Sequence, residues 1–101
     1  MMSSRQTDES GSISVRVYPP FTGGKGTLDL TVPCDQDGVA VGDLLGTLRR
    51  HGTLNVPELR GRTDESAWSH AIVLAQGRVL KLGDIVKPGD RVSVLPPMSG
   101  G

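Results

Sequence analysis

From Ile13 to Val17 apolar and polar positions alternate strictly: Ile13, Val15 and Val17 fall on one side of an extended chain, Ser14, Arg16 and Tyr18 on the other. That period of two predicts a half-buried strand. Pro19-Pro20 ends it, because proline has no N–H for a ladder. After the glycine-rich stretch FTGGKGT, a second run places Leu28, Leu30 and Val32 inward and Asp29 and Thr31 outward, so the two runs form a hairpin. A polar connection from Pro33 to Gly38 follows. The period then changes: Val41, Leu44, Leu45 and Leu48 recur at i, i+3, i+4 and i+7, the stripe of an amphipathic helix. Asp43 near its start and Arg49, Arg50 and His51 near its end suit the helix dipole, and Gly52 is the expected C-terminal stop. Gly46 in its interior costs up to about 1 kcal/mol relative to alanine, so tertiary packing has to hold the helix.

The remaining chain is less regular. Residues Asn55 to Ser69 mix charge with Pro57, Gly61 and the run Thr63-Asp64-Glu65-Ser66, and are expected to form a long surface loop with at most one helical turn. Trp68 in this loop either covers an edge of the core or binds a partner. Ala71-Ile72-Val73-Leu74 predicts a short strand, turned at Gln76-Gly77 into Val79-Leu80. A connection through Leu82-Gly83-Asp84-Ile85-Val86 leads to the turn Lys87-Pro88-Gly89-Asp90 and a last strand, Arg91 to Leu95, with Val92 and Val94 facing in. Residues 1–12 are polar and patternless and are expected to be a disordered tail; residues 13–95 form the domain; residues 96–101, PPMSGG, form a flexible C-terminal tail. The order of elements is an α+β plan, one main helix packed on a mixed sheet, and a right-handed crossover through the helix places a later strand parallel to the first.

Composition narrows the function. The 101 residues include three aromatics, which argues against a deep aromatic pocket, and eleven basic residues balance eleven acidic ones. A nucleic-acid backbone binder needs a basic surplus, so no nucleic-acid partner is expected. No apolar run reaches the length of a membrane span or secretory signal, and one cysteine makes no internal disulfide; a cytoplasmic protein without a membrane partner is expected. Gly23-Gly24-Lys25-Gly26-Thr27 is not a phosphate loop, since the required glycine and the hydroxyl residue after lysine are replaced by Pro19 and Gly26. Cys34 has no neighbouring His or CxxC partner and reads as a passive thiol. His51 and His70 have no ligand spacing with it, so no metal is expected. Nothing assembles a nucleophile, a base and an oxyanion site, so the chain is not expected to be an enzyme and has no catalytic residues of its own.

The C-terminus carries the strongest signal. Residues Lys87 to Leu95 followed by Pro96-Pro97-Met98-Ser99-Gly100-Gly101 resemble the ending of the ubiquitin-like sulfur carriers, a family that includes the small subunit of molybdopterin synthase, the thiamine sulfur carrier and a carrier for cysteine synthesis. The helix and the hairpin around Gln76-Gly77-Arg78 fall in the family's order, and the resemblance covers about residues 13–101. It implies a β-grasp, ubiquitin-like fold. It also implies a cycle in which an E1-like adenylating and sulfurylating enzyme uses ATP to activate the Gly101 carboxyl. A thiocarboxylate then forms and donates sulfur, through a sulfur-accepting synthase, to a cofactor, cysteine or another sulfur metabolite. No cofactor is bound by the carrier itself. The Pro-Pro ending leans toward the molybdopterin branch and the Thr-Gly-Gly loop toward the cysteine branch.

Physical reasoning supports such a tail independently. Six residues from Pro96 extend roughly 20 Å, enough to enter a partner's channel. Glycine without Cβ passes a narrow channel at Gly100 and Gly101, and Pro96 and Pro97 keep the root extended, lowering the ordering cost of docking. Met98 and Ser99 complete the inserted segment. Phe21 and Leu95 either add an apolar docking face beside the tail or complete the core. Two other uses share the same scaffold: a protein modifier whose activated Gly101 is attacked by lysine, and a non-covalent β-grasp binding module in which the glycines are incidental.

Overall fold

The computed structural model describes residues 11–50, 54–59 and 61–97. Strands β1 (Ser12–Val17) and β2 (Leu28–Pro33) form the predicted antiparallel hairpin, with Ile13 opposite Val32 and Val15 opposite Leu30. After the two-residue strand β3 (Val39–Ala40) the chain enters helix α1 (Val41–Arg49) and later the short helix α2 (Asp64–Trp68). Strands β4 (Ile72–Ala75), β5 (Arg78–Val79), β6 (Ile85–Val86) and β7 (Arg91–Leu95) complete the domain.

The main sheet has the order β2-β1-β7-β4-β5. Strand β7 lies parallel to β1, as the crossover argument requires, and antiparallel to β4. Alternation is obeyed: Ile13, Val15, Val17, Val92 and Val94 face inward and are buried, as is Val73 opposite Val94. Helix α1 covers that face with Val41, Leu44, Leu45 and Leu48, each at most 1% exposed. Burying side chains of this size stabilises by about 1.5–3 kcal/mol apiece, which offsets the glycine at position 46. Helix α1 has no side-chain N-cap; its first free amides are satisfied from afar, Val41 N–H by the Asp84 carbonyl and Gly42 N–H by the Leu82 carbonyl. Asp43 and Arg49 occupy the dipole-favoured ends, whereas His51 and the expected stop at Gly52 lie outside the described residues.

Two expectations change, and one open alternative is decided. The connection through Ile85-Val86 is a strand: β6 pairs antiparallel with β3, Val39 opposite Val86, in a small second sheet. The segment read as a surface loop sends side chains into the core: Val56, Leu59 and Ala67 within it are buried, as is Leu54 just before it. It is tied down by Asn55 N–H donating to the Phe21 carbonyl and by Trp68 Nε1 donating to the Leu80 carbonyl, which assigns Trp68 to covering the core. Its helical turn is α2, capped by the Thr63 hydroxyl accepting from Ser66 N–H at 3.1 Å. Finally, Phe21 is 7% exposed, and its ring joins the core instead of a docking face.

Candidate functional site

Strand β7 supplies the site by delivering the chain to its end. It is held on both sides, Val94 beside Val17 of β1 and beside Val73 of β4, and Tyr18 N–H donates to the Val94 carbonyl at the last rung. A strand clamped by two neighbours gives a rigid root for whatever follows. Leu95, opposite Ile72, and then Pro96 and Pro97 are half-buried as they leave the sheet. Met98, Ser99, Gly100 and Gly101 lie outside the described residues.

The outer face of the sheet beside this exit divides into two chemistries. On β4, β5 and the end of β7 it is apolar. Leu95 and Ile72 form one rung, Leu74 and Val79 another, and Val79 is 43% exposed. Of the two residues that could either add a docking face or complete the core, Leu95 lies in this strip and Phe21 in the core. The sequence shows Ile72, Leu74 and Val79 as strand residues; only the register aligns them with Leu95 on the solvent side. On β2, β1 and the start of β7 the face is polar, with a shallow concavity of about 450 Å³ among Ser14, Arg16, Asp29, Thr31, Arg91 and Ser93. There Arg16 Nε donates to Asp29 Oδ1 at 2.8 Å, and this hydrogen bond holds the Asp29 carboxyl below its usual range. Both groups are solvated.

Cys34 is 8% exposed, with its thiol donating to the Asp35 carbonyl at 3.2 Å. Burial, and then the negative charges of Asp35 and Asp90, push the thiol pKa up, opposite to what a nucleophile or sulfur relay needs. Among the described residues no group of His, Cys, Asp and Glu is arranged to hold a metal, and no helix is long and apolar enough to cross a membrane. The loop after β1 is built locally. The buried Thr22 hydroxyl donates to the Gly26 carbonyl at 2.6 Å, and Gly23, Gly24 and Gly26 have φ of 66°, 87° and 75°. It is a structured turn.

Comparison with known proteins agrees with this geometry. No curated protein matches the chain. Among solved structures, SAMP1 from Haloferax volcanii is 27% identical with a TM-score of 0.55, covering 90% of this chain and 100% of its own. The HVO 2177 protein of the same organism is 30% identical with a TM-score of 0.56, covering 90% of this chain and 87% of its own. The fold, a mixed sheet grasping one main helix, is therefore the ubiquitin-like β-grasp expected from the sequence. The model of the ThiS family matches residues 31–101, a span that holds the helix, the clamped β7 and the whole C-terminal tail, and the chain belongs to that family of ubiquitin-like sulfur carriers.

Proposed function

We propose that the protein is a sulfur carrier whose reactive group is the Gly101 carboxyl. The supporting observation is the continuity of β7, fixed between β1 and β4, with a Pro-Pro root and a diglycine end, in a chain of the ThiS family. The terminal carboxylate attacks the α-phosphate of ATP in an E1-like activating enzyme, expelling pyrophosphate. A sulfide-level sulfur nucleophile then displaces AMP and leaves a thiocarboxylate. The thiocarboxylate is the nucleophile that a sulfur-accepting synthase consumes, returning the carboxylate. ATP is the partner's substrate, and the carrier's own contribution is positional. The clamped strand fixes where the tail starts, and Pro96 and Pro97 direct it outward. Met98 and Ser99 continue the inserted segment, and Gly100, without a Cβ, lets Gly101 enter another protein's narrow active site. The apolar strip Leu95, Ile72, Leu74 and Val79 is the face against which such a partner rests.

The test is intact-mass spectrometry after incubation with an activating enzyme, ATP and a sulfur donor. The expected result is replacement of one oxygen by sulfur, mapped to Gly101 and abolished by deleting Gly101. Appearance of Gly101 in isopeptide linkage to lysines, with no thiocarboxylate, would transfer the protein to the modifier class. Full cellular activity after removal of Gly100 and Gly101 would assign it to non-covalent binding.

A further inference from the structure

Zero net charge conceals an uneven distribution. Three strand ends and the loop between two of them meet where the tail leaves: the end of β1, the start of β2 and the start of β4. The loop 18–27 therefore sits beside Pro96 and Pro97, and it carries Lys25, exposed and held in place by Lys25 N–H donating to the Thr22 carbonyl and by the Thr22–Gly26 bond. Helix α1 starts beside Leu82 and Asp84, directly after β3 on its pairing with β6. Beyond it the chain is bonded at Asn55 to the Phe21 carbonyl in this same loop. Over its length of about 13 Å the helix carries the exposed Arg49 and Arg50 toward the tail exit. Lys25, Arg49 and Arg50 form no ion pair among the described residues. Of the acids at this end, Asp29 is held by Arg16, and Glu58 already has a partner. At the opposite end, after β2 and before β7, Asp35, Asp37 and Asp90 mix with Lys87 and Arg91.

We infer that Lys25, Arg49 and Arg50 form a cationic collar around the tail exit that docks onto an acidic rim at the mouth of the activating enzyme's channel. This rests on the carrier reading above, and adds the charge of the partner surface and the residues that read it. Three cations that pair with no described acid attract an acidic mouth over about a Debye length, 10 Å at 0.1 M salt. They orient the carrier so that the Gly-Gly end arrives first. Because the collar lies outside the tail, it governs encounter and leaves the chemistry at Gly101 to the enzyme.

The experiment compares ATP–pyrophosphate exchange by an activating enzyme with the full-length protein and two charge-matched variants, K25E/R49E/R50E at the tail exit and R78E/K87E/R91E away from it. K25E alone guards against helix damage, since it lies in the loop, and thermal melts confirm folding. At low salt the collar variant should raise KM for the carrier about tenfold with kcat unchanged, the far-end variant should change KM by less than about twofold, and the difference should vanish near 1 M salt. An unchanged KM in the collar variant and in K25E, or an equal rise in the far-end variant, overturns the collar while leaving wild-type exchange, and so the carrier reading, intact. Binding to phosphatidylserine vesicles that the collar variant loses, with exchange kinetics unchanged, would assign the collar to a membrane surface and also overturn it. Absence of exchange by the wild type would remove both.

Discussion

Replacing Phe21 with alanine tests whether this ring belongs to the core or to a docking face. Phe21 is 7% exposed, so nearly the whole ring is out of water, and its backbone carbonyl anchors Asn55. Phe-to-Ala substitutions in cores cost about 3–5 kcal/mol, from lost transfer free energy and the cavity left behind. The residue lies in a loop at the edge of the core, where neighbours relax more readily than under the helix, so the low end, about 3 kcal/mol, is expected. Domains of this size have about 5–15 kcal/mol in total, and 1 kcal/mol shifts Tm by about 4–8 °C, so a fall of roughly 12–24 °C should appear. Urea unfolding followed by Trp68 fluorescence and circular dichroism gives the free energy directly. A loss below about 1 kcal/mol, combined with weakened binding to a partner, would show that the ring serves docking and that its burial contributes little.

Other substitutions probe separate parts of the structure. Gly38→Ala places a Cβ 2.6 Å from the Val86 carbonyl oxygen at a φ of +85°, and should lower stability by at least about 1–3 kcal/mol in thermal melts by splitting β3 from β6. Gly24→Ala, with open space at the same sign of φ, should cost less. Trp68→Phe removes the indole donor to the Leu80 carbonyl, 3.2 Å away, and should cost about 1 kcal/mol in chemical denaturation; no change would show the bond to be replaceable by water. The buried Cys34 thiol has a raised pKa in the folded state, so its contribution to stability is intact below the unfolded-state value of about 8.5 and falls as pH rises through the folded value. Unfolding free energies of wild type should therefore decline between neutral and alkaline pH more steeply than those of Cys34→Ala, and equal slopes would contradict the burial argument.

The parts of the fold that were legible are those where one face is buried and the other wet. Alternation at Ile13, Val15 and Val17 is visible because Ser14, Arg16 and Tyr18 face water, and the stripe Val41, Leu44, Leu45, Leu48 is visible because Asp43, Arg49 and Arg50 do not share it. Strands β3 and β6 were not legible, since two residues cannot display a period of two. In the segment around Leu54, Val56 and Leu59, short apolar steps between proline and charge look like a loop, and their burial comes from distant contacts with Phe21 and the core. The continuous apolar run Ile72-Val73-Leu74 revealed a strand without revealing that Val73 faces in while its neighbours line an outer strip with Leu95 and Val79.

Local sequence by itself determined the hairpin, the helix and the closing strand: periodicity, proline and glycine act within a few residues and need no knowledge of the rest of the chain. Tertiary structure alone decided which of these meet. Parallel pairing of β7 with β1 and antiparallel pairing with β4 bring the loop of Lys25 and the start of β4 to the place where Pro96 and Pro97 depart, and the bond from Asn55 to Phe21 draws the end of α1 toward it. The crossover rule foresees a parallel neighbour for β1, but which strand it is, and in which register, depends on long-range pairing that no local pattern encodes.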